Sequence, residues 1–182
     1  MKKHTQRFYP NSFYNVYNRG NNRESLFYTW SNYKYFLEKY DEYLSSFVDT
    51  YAYSLIPNHF DLLIKTPNEV DKISNQFRKF FITYSKTINV QENRIGSLFI
   101  KPFRRKPIDE TSYIQRIISY IHNKPVHHEI CYHLEDYKWS SYKTILSNFT
   151  TKLKREAVIE LFGSKDKFIE FHREIRNFES KT

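Results

Sequence analysis

Cysteine and glycine are scarce in this chain, and each scarcity excludes a class of protein. Cys131 is the single cysteine among 182 residues, so an internal disulfide framework and a thiolate metal cluster are both excluded. Only three glycines are present, which argues against a glycine-rich loop that cradles a nucleotide phosphate. The sequence also lacks an apolar run of about 18 residues, the length that spans a membrane. Met1-Lys2-Lys3-His4 leads into polar sequence rather than an apolar signal core. These absences predict a cytoplasmic protein with no membrane partner.

The chain is instead rich in aromatic and basic residues. Aromatic residues make up 19% of the sequence, and the formal net charge is +9. Such a charge favours a polyanionic partner, and nucleic acid is the partner most typical of it. Basic residues interleave with Phe99 and Phe103 in a pattern suited to single-stranded and hairpin nucleic acid. The predicted DNA-binding residues of this segment are Arg94, Lys101, Arg104, Arg105 and Lys106. A strand edge that charges keep solvated is the structural alternative.

His59 and Asp61 lie two residues apart in a run that is typical of a strand. Side chains alternate along a strand, so these two point to one face while Phe60, Leu62 and Ile64 point into a core. An imidazole and a carboxylate placed in this way can converge on a hard divalent cation such as Mg²⁺ or Mn²⁺. A half-buried edge strand with solvated polar residues is the alternative.

A tyrosine lies at the edge of a predicted helix further along the chain. The apolar stripe of this helix consists of Ile114, Ile117, Ile118 and Ile121. Tyr120 lies on the flank of the stripe, with Arg116 one turn before it. A phenol in this position can attack a phosphodiester whose charge the guanidinium offsets. The chain has sixteen tyrosines, however, and most of them must pack or lie on the surface.

Five ordered blocks of the sequence resemble the REP-associated tyrosine transposases, a family within the single-tyrosine, His-hydrophobic-His nucleases. The blocks are Tyr14-Asn15-Val16-Tyr17-Asn18-Arg19-Gly20, Ile56-Pro57-Asn58-His59-Phe60-Asp61-Leu62-Leu63, Gly96-Ser97-Leu98-Phe99 with Lys101-Pro102-Phe103, Tyr120-Ile121 with Pro125-Val126, and Glu135-Asp136-Tyr137-Lys138-Trp139-Ser140-Ser141-Tyr142. Together they extend over nearly the whole chain. Five blocks in order are far more specific than any lone short motif.

The resemblance implies a metal-dependent site for DNA strand transfer. It makes Tyr120 the nucleophile that attacks the scissile phosphate of single-stranded DNA, leaving a 5′-phosphotyrosine link and a free 3′-hydroxyl. It also makes His59 a metal ligand. The cofactor that it implies, Mg²⁺ or Mn²⁺, acts as a Lewis acid and a template in such sites.

Two residues depart from the family's pattern. Asp61 stands where the family usually has its second histidine, and Lys124 stands four residues after Tyr120, where the family usually has asparagine. A carboxylate ligates Mg²⁺ well, whereas an ammonium has no lone pair for a metal and repels it. We therefore expect Asp61 and Lys124 to form an ion pair in the space of the cation, whose site is then lost. Since Pro125 disfavours a helical conformation at the residue before it, an alternative is that Asn123 provides a metal-ligating oxygen.

The element order predicts an α+β fold. Strand, helix, strand, strand, helix, strand and helix follow one another, which suits a ferredoxin-like antiparallel sheet with helices packed on one face, plus C-terminal helices. The fourth strand is predicted to extend from Ser97 to about Pro107. Residues 1–126 are predicted to form a catalytic-type domain of the single-tyrosine transposase class, and residues 127–182 a helical extension packed on it.

The leading interpretation is a transposase-like protein that recognises hairpin single-stranded DNA, as a monomer or a homodimer. It would cleave and rejoin this DNA through Tyr120, with Arg116 as a further DNA-binding residue. One alternative is a catalytically impaired relative that only binds hairpin DNA. Another is a ferredoxin-like RNA-binding module, although the glycine-aromatic signature of such modules is missing from the sequence.

Overall fold

The structure is a computed structural model that describes the backbone of residues 7–108, 110 and 113–179 and the side chains of all of these except 176–179. Its sheet has four strands: β1 (Phe13–Arg19), β2 (Asp49–Ile56), β3 (His59–Lys65) and β4 (Arg104–Ile108). The spatial order is β2-β3-β1-β4, and every neighbouring pair is antiparallel. This order is that of a ferredoxin-like sheet, so the predicted α+β class is confirmed.

Two long helices cover one face of the sheet. They are α1 (Trp30–Leu44) and α2 (Ile73–Gln91), which pack against each other. Aromatic and aliphatic side chains recur at helical spacing along both helices, and these positions are buried. The strands contribute every second side chain to the same core, including Phe60, Leu62 and Ile64 of β3. These three side chains therefore face the core, as the alternation predicts.

A third helix, α3 (Ile114–His127), lies against the opposite face of the sheet. It buries Ile114, Ile118 and Ile121 in a second core that also contains Leu63 of β3. The C-terminal helices complete this second core: α4 (Tyr142–Leu146), α5 (Arg155–Phe162) and α6 (Lys165–Glu179). None of the helices in the described ranges is long and apolar enough to cross a lipid bilayer.

The predicted start of the fourth strand is wrong. The strand begins at Arg104 rather than Ser97, and the segment before it forms only an isolated bridge between Phe99 and Gly20. Burial explains the difference, because Leu98 and Phe99 are buried in the first core. Pro102 has no backbone N–H to donate to a ladder.

The expectation that Lys124 leaves the helix is also wrong. Helix α3 continues through Pro125 to His127. A proline in this last turn removes one N–H donor, but the following turn is still closed, because His128 N–H donates to the carbonyl of Lys124 at 3.0 Å. The ring of Pro125 is itself buried. Lys124 therefore lies about one helical turn beyond Tyr120, on the same side of α3.

Candidate functional site

Strand pairing brings the polar side chains of three strands onto one face of the sheet. Tyr17 of β1 is paired with Asp61 of β3 on one side and with Arg104 of β4 on the other, and Arg19 is paired with His59. Paired residues of neighbouring strands point to the same face. This is the face that α3 covers, so residues of α3 can reach these strand side chains.

A pocket of about 470 Å³ lies at this place. Among its lining residues are Arg19 and Arg23, Asn58 and His59, Asp61, Arg104, Lys124 and His128. Four of these residues carry a permanent positive charge, and Asp61 is the only acidic residue among the described residues that line the pocket. The pocket is therefore strongly electropositive.

Lys124 joins the two strand residues that the sequence singled out. Its Nζ lies 3.1 Å from Asp61 Oδ2 and 3.5 Å from His59 Nε2. Asp61 is almost fully buried, and its Oδ1 accepts a hydrogen bond from Asn15 Nδ2 at 3.4 Å. The structure thus brings His59, Asp61 and Lys124 together at one point.

The imidazole of His59 is neutral and has a defined tautomer. Asn58 Oδ1 lies 3.0 Å from Nδ1 and can only accept, so Nδ1 carries the proton. The lone pair of Nε2 then faces the ammonium of Lys124. Burial, together with the charges of Lys124 and two further groups, lowers the pKa of His59 to about 3. His59 is accordingly an acceptor at neutral pH.

The lysine is charged, and its carboxylate partner is held by it. Burial lowers the pKa of Lys124, but attraction to Asp61 and to Tyr120 outweighs it, so that the pKa is raised overall. Burial raises the pKa of Asp61, and the ammonium opposes this shift. The ammonium is the group that lets a carboxylate remain in this buried position.

Tyr120 adjoins the pocket through the same ammonium. Lys124 Nζ lies 4.9 Å from the centroid of the Tyr120 ring, and the phenol is one of the groups that raise the pKa of Lys124. The side chain of Tyr120 is 42% exposed, so a large ligand can reach it. His59 and Tyr120 therefore contact one shared group, and both lie on the same side of the molecule.

These residues do not fit a divalent cation as they stand. His59 Nε2 and Asp61 Oδ2 lie 3.7 Å apart, and an ammonium occupies the point on which they converge. Asn123, the third expected ligand, is fully buried, and its Nδ2 donates to Ser119 O at 3.0 Å rather than pointing into the pocket. Among the described ranges, no group of three or more His, Cys, Asp or Glu side chains is arranged to hold a metal ion.

The predicted DNA-binding segment is divided between two faces of the sheet. Arg104 is exposed and lines the pocket. Arg105 points the other way, with its guanidinium 4.6 Å from the ring centroid of Phe8 and 5.1 Å from that of Phe103. Burial lowers the pKa of Arg105. Two neighbouring arginines of one strand thus have different surroundings.

The remaining predicted basic residues are not equivalent either. Arg94 forms an ion pair with Glu24, and it donates to Asn89 Oδ1 at 3.1 Å, so structural contacts already engage it. Lys101, Lys106 and Arg116 are exposed. A ligand can therefore reach these three side chains, whereas Arg94 is engaged by Glu24 and Asn89.

Three basic residues of the pocket were missing from the predicted site. Arg19 and Arg23 flank the glycine turn after β1, and His128 follows α3, with its ring centroid 4.9 Å from that of His59. A register argument could have found Arg19, because it is paired with His59. His128 reaches the pocket only because α3 crosses the sheet at this place, and nothing in the local sequence indicates that crossing.

Comparison with solved structures gives an informative similarity. Neither protein-family models nor curated proteins give a match to the sequence. Among solved structures, the chain is similar to a REP-associated tyrosine transposase bound to a REP hairpin. The two share 16% sequence identity at a TM-score of 0.64, over 79% of this chain and 84% of the other. At this identity, the similarity shows a distant structural relationship at the level of the fold.

Proposed function

We propose that this protein is a transposase-like DNA-binding protein that recognises hairpin-forming single-stranded DNA. The observation that carries the proposal is the electropositive pocket beside an exposed tyrosine, on a fold shared with a protein that was solved with a hairpin. Arginine and lysine side chains that converge in this way bind phosphates of a nucleic-acid backbone. The pocket would hold one such phosphate next to Tyr120.

An adjoining groove supports binding of a single strand rather than a duplex. This groove, which we call the apolar groove, has a volume of about 750 Å³ and lies between α2 and the segment 96–103. Phe81, Phe99 and Phe103 line it, while Lys86 and Lys101 provide positive charge. Asn18 and Ile100 line both the groove and the pocket. A strand whose phosphate lies in the pocket can therefore place unpaired bases against the aromatic lining.

The reaction that we propose is strand cleavage and rejoining through Tyr120. The phenol oxygen would form a bond to the phosphorus, and the bond from phosphorus to the 3′-oxygen would break. The phenol proton is lost as the 3′-oxygen gains one, so a 5′-phosphotyrosine and a 3′-hydroxyl result. The reverse step on a second end rejoins the DNA, since the bond energy is retained in the phosphotyrosine.

A second candidate function is binding without cleavage. The contact of Lys124 with Asp61 favours it, because an ammonium stands where a Lewis-acidic cation would stabilise the transition state. Under this reading the pocket positions hairpin DNA, and the phenol stays unreacted.

A labelled hairpin separates the two candidates. Protein is incubated with hairpin DNA that carries single-stranded ends, labelled at the 5′ end in one sample and at the 3′ end in another. A covalent adduct on the strand 3′ of the break that disappears in Tyr120→Phe supports cleavage. Hairpin binding with no adduct, with or without divalent metal, supports the second candidate. Equal affinity for hairpin and for fully paired duplex of the same composition would contradict both.

A further inference from the structure

We propose that the pocket is a metal-independent phosphate site in which the ammonium of Lys124 replaces a divalent cation. This inference rests on the proposed function, since it names the chemistry by which the same pocket holds DNA. The ligand is a phosphate group, and its source is a backbone phosphodiester of single-stranded DNA. A metal site of the kind implied by the family resemblance would be a cation site, whereas this is an anion site.

The ammonium of Lys124 lies beside two acceptors of the pocket. An ammonium has three N–H donors and no acceptor. Two acceptors lie next to it, Asp61 Oδ2 at 3.1 Å and the unprotonated Nε2 of His59 at 3.5 Å. An imidazole lone pair and a carboxylate that face one positive centre are the ligands a metal would use. The ammonium of Lys124 therefore takes the place of a metal ion next to both groups.

Positive charge remains in the pocket after Lys124 has paired with Asp61. Asp61 neutralises one of the four permanent cations that line the pocket, which leaves Arg19, Arg23 and Arg104 without a carboxylate partner among the described lining residues. All three are exposed. Guanidinium groups bind phosphate oxygens in a bidentate manner. The pocket therefore attracts an anion.

A divalent cation would be repelled by Lys124 in this pocket. A divalent cation would have to displace the ammonium of Lys124 from its place beside Asp61 and His59. The lysine side chain would allow this ammonium to move only a short distance away. Two positive centres within a few ångströms repel strongly in a partly buried site. A phosphate meets no such obstacle, because the cations that line the pocket attract it.

The experiment measures Mn²⁺ binding and DNA binding separately. Mn²⁺ binding is followed by the loss of the free-ion electron paramagnetic resonance signal, on wild type, Lys124→Asn and Lys124→Arg, without DNA. The affinity for a hairpin with single-stranded ends is measured for the same proteins in EDTA and in Mn²⁺. Lys34→Asn, which changes an exposed lysine paired with Glu38 on α1, is the matched control. A thermal melt of each variant shows that it is folded.

Wild type, Lys124→Arg and Lys34→Asn are expected to bind no Mn²⁺ and to bind the hairpin equally well in EDTA. Lys124→Asn is expected to gain Mn²⁺ binding and to lose roughly tenfold in hairpin affinity in EDTA, the effect of one lost charge-assisted contact. Stoichiometric Mn²⁺ binding by wild type, or loss of its hairpin affinity in EDTA, would overturn the inference. If Lys124→Asn does not fold, wild type and Lys124→Arg still decide.

Two further arms identify the source of the phosphate and separate this inference from the proposed function. Inorganic phosphate is added to the hairpin-binding assay at constant ionic strength. If it displaces the hairpin, the pocket is a site for free phosphate, and the assignment to a backbone phosphodiester is overturned. If the hairpin is not bound at all, the proposed function fails. The Mn²⁺ titration still reports whether Lys124 keeps a metal out.

Discussion

His122 and His172 form a direct ring-to-ring hydrogen bond, with His122 Nδ1 2.9 Å from His172 Nε2, and both side chains are fully buried. His172 Nδ1 lies 2.7 Å from the carbonyl of Phe168, so it must carry a proton and leave Nε2 as the acceptor. His122 therefore donates from Nδ1, and its Nε2 accepts from the hydroxyl of Ser141 at 2.7 Å. The His172 ring must be neutral to accept at Nε2, and burial keeps the His122 ring neutral by lowering its pKa. These hydrogen bonds link α3 to α6 and to the start of α4.

We predict that acid weakens the fold through these two histidines. Burial lowers the pKa of His122 well below its ordinary value and lowers that of His172 to about 4. Both protonate in the unfolded chain near pH 6.5, so the unfolded state binds more protons between pH 6.5 and pH 4. The free energy of unfolding is then highest above pH 6.5 and falls as the pH drops through this window, by roughly 3 kcal/mol for His172 alone.

Urea denaturation from pH 7.5 to pH 4 measures this loss. His172→Gln should be less stable at pH 7.5 but should lose less stability on acidification. His127→Gln, at an exposed position, is the control and should follow wild type. A wild-type stability that is constant over the window would contradict the neutral pair.

The ion pair of the pocket predicts a second effect on stability. Asp61→Asn leaves the ammonium of Lys124 without its carboxylate in a site where only 15% of the lysine side chain is exposed. Because removing one partner of a buried pair leaves an uncompensated charge, we expect a loss of about 2 kcal/mol. Asp61→Asn with Lys124→Met should recover much of it. If the double variant is no more stable than Asp61→Asn, the unpaired ammonium is not the cause of the loss.

The apolar groove predicts a change in DNA binding that leaves stability alone. Ile82 and Val90 are both exposed aliphatic residues of α2, 43% and 80% exposed, but only Ile82 lines the groove. Ile82→Asp should reduce affinity for a hairpin with single-stranded ends by roughly tenfold, because a carboxylate would face the unpaired bases and their phosphates. Val90→Asp should not. A fluorescence anisotropy titration measures both, and a similar loss for the two variants would indicate a nonspecific charge effect.

Part of the site could be predicted because it depends on local periodicity. Alternation along β3 places His59 with Asp61, and helical spacing places Tyr120 with Lys124. The choice between Lys124 and Asn123 could not be predicted locally, because it depends on whether α3 tolerates Pro125. The helix continues through that proline, whose ring is buried. Tertiary packing overrides a local preference here.

The basic residues show the same limit. Sequence composition predicts one cluster at residues 94–106, whereas strand alternation sends Arg104 and Arg105 to opposite faces. The pairing of Arg94 with Glu24 joins residues that are 70 positions apart, and no local pattern indicates it. Composition therefore predicts the class of ligand, while the register of β4 against β1 determines which side chains can touch it.

A comparison of Arg104→Ala with Arg105→Ala shows whether the pocket holds a backbone phosphate of hairpin DNA. Both remove one charge from adjacent positions of β4, so a difference between them reports the pocket rather than net charge. Hairpin affinity is measured as a function of salt concentration for both variants and wild type. We predict that Arg104→Ala weakens hairpin binding. It should also reduce the slope of the logarithm of the binding constant against the logarithm of the salt concentration by about one unit. Arg105→Ala should lower the melting temperature, since its guanidinium packs on Phe8 and Phe103, yet keep wild-type affinity and salt dependence. Equal losses of affinity in the two variants, or a loss in Arg105→Ala alone, would contradict the account.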